Sequence, residues 1–145
     1  MTFKIQHAHT DDYINSLDIN KIKGAIIVDL GCGDGYAAKK FYNLKAKSVY
    51  GVDHNLRQDI LLAKNHVTYV NDMSQIKDNV DIIWCHHCIE HVFNPIDFIR
   101  KIYDRLKLGG ELWIGCPNSF HNPNIFSPGH IHNYNAVTLI SQLRI

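Results

Sequence analysis

The eight residues WCHHCIEH, Trp84 to His91, bring together side chains that bind metals, carry protons and act as nucleophiles. Cys85 and Cys88 have the C-x-x-C spacing of zinc ligands, and His87 and His91 are four residues apart, on one face if the stretch is helical. A structural zinc site normally has a second ligand pair at a set spacing, and the sequence shows none. The metal interpretation is therefore disfavoured, and the sequence assigns no metal ligand.

A glycine-rich stretch, VDLGCGDGYA, gives a second chemical signal. Gly31, Gly33 and Gly35 permit positive φ and a close approach of a ligand to the backbone, while a following helix offers free N–H groups. A dinucleotide fingerprint needs its third glycine where Tyr36 stands, so a nicotinamide cofactor is disfavoured. The alternative for this stretch is a plain tight turn between a strand and a helix.

Asp53 ends the next apolar stretch, SVYGVD. A carboxylate at the tip of a second strand accepts hydrogen bonds from both hydroxyls of a ribose in nucleoside-binding βαβ units. The alternative is that Asp53 caps the following helix. With the glycine stretch upstream, the sequence favours a nucleoside-binding site.

These residues follow short apolar segments that alternate with helical patterns. The predicted strands are 25–30, 48–53, 67–70, 80–85 and 111–116, and the main predicted helices are 10–17 (capped by Thr10), 36–44, 56–65, 95–108 and 135–145. This alternation predicts one α/β domain over residues 1–145, with a doubly wound, mostly parallel sheet of about five strands. Ligands of such sheets bind beyond the carboxyl ends of the strands, where the residues described above stand.

The overall composition argues against several kinds of partner. The net charge of +1 provides no basic field for nucleic acid, so a nucleic-acid substrate is disfavoured. No apolar run approaches the roughly 20 residues of a membrane span, and the N-terminal sequence has no signal-peptide core. Together with four cysteines, this predicts a cytoplasmic protein with reduced thiols and no membrane partner.

In their order and spacing, four stretches resemble the class I S-adenosylmethionine-dependent methyltransferases: VDLGCGDG, VYGVDHN, VNDM and DIIWCHHCIEHVFNPIDFIRKIYDRLKLGGELWIGCPN. The resemblance runs from about Ala25 to Asn118 and is nearest to the subgroup of ubiquinone-biosynthesis O-methyltransferases and their small-molecule relatives. It implies a Rossmann-like methyltransferase fold, S-adenosyl-L-methionine as cofactor, and a small-molecule acceptor methylated at oxygen.

The resemblance also implies which residues surround the cofactor. Its methionine part would lie against the glycine loop and the end of the fourth strand, at Asp29, Gly31, Cys32, Gly33, Gly35, Cys85 and His86. Its ribose hydroxyls would bind Asp53, and its adenine would lie beside His54, Asp72 and Met73. Carboxylates at these places match the hydroxyls, the amino groups and the cationic sulfonium of the cofactor.

Methyl transfer to a hydroxyl needs a base, and a histidine with a pKa near neutrality suits that role. His91, with its neighbour Glu90, is the first candidate, followed by His86 and His87. The alternative for Glu90 and His91 is a structural brace between the loop and the next helix. The two histidines of SPGHIHNY, at 130 and 132, either touch the acceptor or are ordinary loop residues.

The resemblance implies seven strands, whereas the predicted elements stop at the fifth strand and one further helix. The stretch ELWIGC would then form an open sheet edge. Three explanations stay open: a fragment of a longer protein, a shortened protein that pairs this edge in a homodimer, or a chain that has lost activity. The alternative functions are therefore a non-catalytic cofactor-binding or interaction subunit, and a Cys/His metal-binding regulator.

Overall fold

A five-stranded parallel sheet forms the centre of the protein. The structure, a computed structural model, describes residues 8–62, 66–119 and 129–143. The strands are β1 (Ile26–Leu30), β2 (Ser48–Val52), β3 (Thr68–Val70), β4 (Val80–His86) and β5 (Leu106–Gly115). They lie in the order β3-β2-β1-β4-β5, and each neighbouring pair is parallel. The predicted α/β fold with a parallel sheet is confirmed.

Helices connect the strands and cover the sheet. They are α1 (Ala8–Asn15), α2 (Ile19–Ile22), α3 (Tyr36–Asn43), α4 (Gln58–Leu62), α5 (Pro95–Arg105) and α6 (Ala136–Leu143), with 3₁₀ turns at Met73–Gln75 and Ile89–His91. None of the helices in the described ranges has the length and apolar character that a membrane crossing requires.

Several element boundaries differ from the prediction, and the start of α1 and the end of α5 show why; β5 correspondingly begins at Leu106 and not at residue 111. Helix α1 already includes Ala8, so Thr10 lies inside the helix and does not cap it. Helix α5 ends at Arg105, three residues early, because Leu106 pairs with Val80 in the β4–β5 ladder. Lys107 then forms an ion pair with Asp81, and the ladder shifts its register between Val80 and Ile82. Contacts with the sheet therefore outweigh the helical pattern of this segment.

The sheet buries side chains on both faces, as expected for parallel strands. On one face α1 and α3 pack against the strands through Ile14, Ala38, Phe41, Ile27, Val49, Ile82 and Trp84. On the other face α5 and the Met73–Gln75 turn pack through Ile102, Met73, Val28, Leu30, Ile83 and Cys85. We call these the α3 face and the α5 face of the sheet.

The centre of the sheet is where the strand order reverses. β1 pairs with β2 on one side and with β4 on the other. Parallel sheets bind ligands outside the carboxyl ends of the strands at such a point. The glycine stretch and Asp53 follow β1 and β2, and WCHHCIEH spans the end of β4, so the fold brings them to one edge.

Candidate functional site

The glycine loop that follows β1 closes tightly over the ends of β2 and β4. Gly31 N and Cys32 N both donate to the carbonyl of Val52, at 2.8 and 3.1 Å. Gly31 has a φ of +78°, and a Cβ added to it would lie 2.8 Å from the Cβ and Sγ of Cys88. Only glycine meets both requirements at this position, so the loop is more than a plain turn: it is bonded to the end of β2 and packed against the loop that follows β4.

Asp53 is bonded to this loop. Its Oδ2 accepts from Gly33 N at 3.0 Å, and its Oδ1 accepts from Asn55 N at 2.9 Å. Helix α4 begins only at Gln58, so Asp53 does not cap it. The carboxylate therefore stands at the mouth of the loop, the position predicted for a ribose ligand.

Asp29 lies beneath the loop and is 3% exposed. Its Oδ2 accepts from Ala38 N at 2.9 Å, in the first turn of α3, whose N-cap is the glycine Gly35. Burial raises the pKa of Asp29 to about 7, against the opposing effect of the Ala38 hydrogen bond. Asp29 also lines a small cavity of about 90 Å³ beside Gly31, Cys32 and His86.

A larger open cavity, of about 650 Å³, lies on the α5 side of the loop. It is lined by five residues that the sequence analysis predicted as cofactor ligands: Gly31, Asp53, His54, Asp72 and Met73. Asp72 also caps the 3₁₀ turn by accepting from Ser74 N at 2.8 Å. This hydrogen bonding to Ser74 lowers the pKa of Asp72, which keeps it ionised at the cavity wall.

Sequence reasoning missed the contribution of helix α5 to this cavity. Phe98, Lys101 and Arg105 line the wall, together with Cys88 from the preceding loop. The three helical residues are three and four positions apart, which places them on one face of α5. This spacing could have predicted that one face of α5 borders the cavity, because the preceding strand had already been assigned.

His86 and Cys85, at the end of β4, point to opposite faces of the sheet. Cys85 is fully buried in the core of the α5 face and is not among the residues that line the two cavities beside the loop. His86 stacks on Trp84, with ring centroids 5.2 Å apart, on the α3 face. It lines a third cavity of about 380 Å³ with Tyr13, Trp84 and Trp113.

The cysteines at the strand ends are protonated at neutral pH. Burial raises the pKa of the Cys32 thiol to about 12 and that of Cys116 to about 11. A thiol in that state is a poor nucleophile and a poor metal ligand. In the described residues all four cysteines are free.

Glu90 and His91 form a short 3₁₀ turn after β4. Glu90 is 1% exposed, and its Oε1 lies 3.2 Å from His87 Nδ1. The Glu90 carbonyl accepts from Ile131 N at 2.8 Å and His132 N at 3.1 Å. His91, by contrast, is exposed and lines the 650 Å³ cavity. The turn thus braces a distant segment through Glu90 while His91 faces the site.

The sequence matches the family model described as a methyltransferase domain over residues 7–144. The ubiquinone biosynthesis O-methyltransferase of Aeromonas salmonicida (strain A449) is 28% identical over 114 residues, which are 71% of this chain and 47% of that protein. The tRNA U34 carboxymethyltransferase of Pseudomonas aeruginosa (strain LESB58) is 29% identical over 103 residues, 63% of this chain and 32% of that protein. The chain thus spans about half the length, or less, of these curated relatives.

Solved structures share the fold at low sequence identity. An S-adenosylmethionine-dependent methyltransferase from Mesorhizobium loti superposes with a TM-score of 0.71 at 18% identity, covering 92% of this chain and 77% of that one. The methyltransferase solved with the Haloferax volcanii Trm112 methyltransferase activator gives a TM-score of 0.73 at 18% identity, covering 95% and 67%. These identities establish the fold alone. With the family match over nearly its whole length, the chain belongs to the methyltransferase domain family, with the class I S-adenosylmethionine-dependent methyltransferase fold.

Proposed function

We propose that this protein binds S-adenosyl-L-methionine and transfers its methyl group to a small-molecule acceptor, at an oxygen atom. The observation that carries the proposal is the 650 Å³ cavity in which the glycine loop, Asp53 and Asp72 meet. When bound, the cofactor supplies a methyl group made reactive by a sulfonium, so the protein has mainly to bind and orient the two reactants.

The residues present fit the cofactor's nucleoside. Each carboxylate oxygen accepts two hydrogen bonds, so Asp53 keeps acceptor capacity for ribose hydroxyls besides its bonds to Gly33 N and Asn55 N. The ionised Asp72 suits the adenine amino group, and Met73 offers an apolar surface for the ring. Asp29 and the 90 Å³ cavity lie on the other side of the loop, where the methionine part belongs in this proposal.

The 380 Å³ cavity on the α3 face is the place we propose for the acceptor. His86 lines this cavity and also the small cavity beside Asp29, so it borders both compartments. It is therefore a candidate base alongside His91, which lines the nucleoside side. Oxygen as the methylated atom is supported by the O-methyltransferase relative.

Cofactor binding is tested by calorimetric titration with S-adenosylhomocysteine. We expect saturable binding that Asp53→Ala weakens by about 10- to 100-fold, since a hydrogen bond to a charged group contributes about 1.5–3 kcal/mol. Asp59→Ala is the matched control: it removes an exposed carboxylate whose partner is Arg57 and should leave the affinity unchanged. Absence of binding to the unmodified protein, or equal binding by Asp53→Ala, would rule the proposal out.

A non-catalytic subunit is the second candidate function. It is favoured by the structural neighbour that was solved with a methyltransferase activator. Within the described residues β5 pairs only with β4, so its other edge is available to a partner or a second copy. Turnover separates the two functions: methylation of any phenolic or other hydroxyl acceptor supports the enzyme, while cofactor binding without turnover over a broad acceptor set supports the subunit.

A further inference from the structure

Glu90 has a buried carboxylate, and only one of its two oxygens has a hydrogen-bond partner among the described residues. Its Oε1 lies 3.2 Å from His87 Nδ1. Its Oε2 is buried and has no hydrogen-bond partner among the residues that the structure describes. Leaving a carboxylate oxygen buried without a partner is costly. The Oε2 atom is therefore open to a cation or a hydrogen-bond donor.

Two imidazoles stand beside this carboxylate. His91 Nδ1 lies 2.8 Å from the carbonyl oxygen of Gly129, and because a carbonyl only accepts, Nδ1 carries the proton. The lone pair of His91 is then on Nε2, the state that a metal-binding histidine adopts when a backbone carbonyl orients it. The His130 ring lies 4.8 Å from the His91 ring, at 73°.

The backbone holds these three side chains together although they come from segments about forty residues apart. The Glu90 carbonyl accepts from both Ile131 N and His132 N. Ser119 N donates to the carbonyl of Tyr134 at 2.7 Å, and Tyr134 is buried. The segment that carries His130 is thus held by backbone bonds at residues 131, 132 and 134, and by the bond between the Gly129 carbonyl and His91.

We propose that Glu90, His91 and His130 form a binding site for one divalent transition-metal ion. One ligand atom from each residue lies within 4.8 Å of the other two. Ligands of one ion at about 2.1 Å lie roughly 3.4 Å apart, so small side-chain rotations close the site. Two imidazoles and one carboxylate suit Zn²⁺, Fe²⁺, Co²⁺ or Mn²⁺ and leave coordination positions for a water or a hydroxyl ligand.

This site differs from the metal site that the sequence analysis considered and set aside. The C-x-x-C cysteines do not take part in it: Cys85 is buried in the core, and Cys88 packs against Gly31. His87 has a supporting role, because its bond to Oε1 orients the carboxylate and leaves Oε2 for the ion. One ligand, His91, also lines the 650 Å³ cavity, so in this proposal it binds the ion and the role of base falls to His86.

The test uses untagged, metal-stripped protein titrated with Co²⁺ alone, followed by visible absorption and calorimetry. We expect one equivalent to bind, without a sulfur-to-cobalt charge-transfer band. Glu90→Gln and His130→Ala should each weaken binding at least as much as the roughly 10- to 100-fold loss usual for an outer-shell partner. His66→Ala is the control, because His66 is exposed and stacks on Tyr42.

Three results would overturn this site: no saturable Co²⁺ binding, unchanged affinity in both Glu90→Gln and His130→Ala, or a thiolate band that Cys88→Ser abolishes. Circular dichroism identifies a variant that has unfolded, and the near-isosteric Glu90→Gln provides the second measurement if His130→Ala does so. Titration of the same samples with S-adenosylhomocysteine shows whether the substitutions that weaken metal binding also change cofactor binding.

Discussion

At the scale of single residues, two carboxylates at one edge of the sheet have pKa values that are shifted in opposite directions. Burial raises the pKa of Asp29 to about 7, whereas hydrogen bonds to Ser74 lower the pKa of Asp72. The two residues differ because Asp29 is enclosed beneath the glycine loop while Asp72 is exposed at the cavity wall. The sequence predicted the positions of both residues but not this difference, which depends on burial rather than on residue type.

Asp29 should make the stability of the protein depend on pH. The folded state holds the Asp29 proton more tightly than the unfolded chain, where the pKa is near 3.8. The stabilising contribution is then fully present below about pH 3.8 and is lost as the pH rises through about 7. Asn does not titrate, so the free energy of unfolding of Asp29→Asn relative to the unmodified protein should rise over this range, by at most about 1.4 kcal/mol per pH unit.

Urea denaturation at several pH values from about 4 to 8 measures this effect. The variant Asp12→Asn, which changes an exposed residue, controls for the altered net charge. Parallel pH profiles of the Asp29→Asn and unmodified proteins would contradict the expectation.

At the scale of elements, the site depends on how the loops after β1 and β4 fit together. Gly31 and Cys88 come from these two loops and leave no room for a Cβ on residue 31. The sequence predicted the need for glycine from its left-handed φ, but it did not reveal Cys88 as the neighbour. Their contact depends on β1 and β4 being adjacent in the sheet. The order of the strands cannot be deduced from the sequence of either loop.

Gly31→Ala should destabilise the protein by about 2–5 kcal/mol. An alanine in the left-handed backbone conformation costs about 1–2 kcal/mol, and overpacking against Cys88 adds about 1–3 kcal/mol. Gly24→Ala is the matched control, since Gly24 has a φ of +74° and its added Cβ would meet no described residue within 4 Å. We expect only the backbone cost there. Urea denaturation measures both variants.

The variant Cys88→Gly tests the cause of the larger effect. Combined with Gly31→Ala it removes the two atoms that the new Cβ would meet, so the pair should show a favourable coupling of about 0.5–3 kcal/mol. Additive effects of the two substitutions would mean that the cost at residue 31 comes from the backbone alone.

The boundaries of helix α5 show where element prediction succeeds and where it fails. Pro95 stands in the first turn as predicted, and Asn94 caps the helix by accepting from Asp97 N. The predicted C-terminal end of the helix was wrong, because Leu106 pairs with Val80 and Lys107 forms an ion pair with Asp81, both in β4. No local sequence pattern reveals these contacts. The start of the helix could be predicted because its cap lies within a few residues. Its end could not, because it depends on pairing with another strand.

At the scale of the whole molecule, the alternation of strands and helices was enough to predict the fold class, and it also indicated the sheet edge at which the cavities lie. The division of this edge into cavities of about 650, 380 and 90 Å³ was not predicted, because it depends on packing across the two faces of the sheet. The chain spans about half of its curated relatives, so their activities enter here only as proposals.

Ligand binding should stabilise the whole domain. At a concentration 100-fold above Kd, S-adenosylhomocysteine should add about 2.7 kcal/mol and raise the Tm by roughly 5–10 °C. Differential scanning fluorimetry measures the shift, and methionine alone is the control, because it lacks the nucleoside that the large cavity is proposed to hold. A Tm that does not change at saturating ligand would count against binding by the folded state.

The hydrogen bond from Ala38 N to Asp29 also has a consequence for the order of folding. Helix α3 begins after a glycine that has no side chain with which to cap it. Asp34 accepts from Tyr36 N, and the Ala38 N–H is capped from β1 by Asp29. An eight-residue helix is marginal by itself in water, so α3 should become stable only when β1 is already in place. The residue beneath the glycine loop thereby couples the formation of the first βα unit to the assembly of the binding edge, and a nascent chain would acquire both in one step.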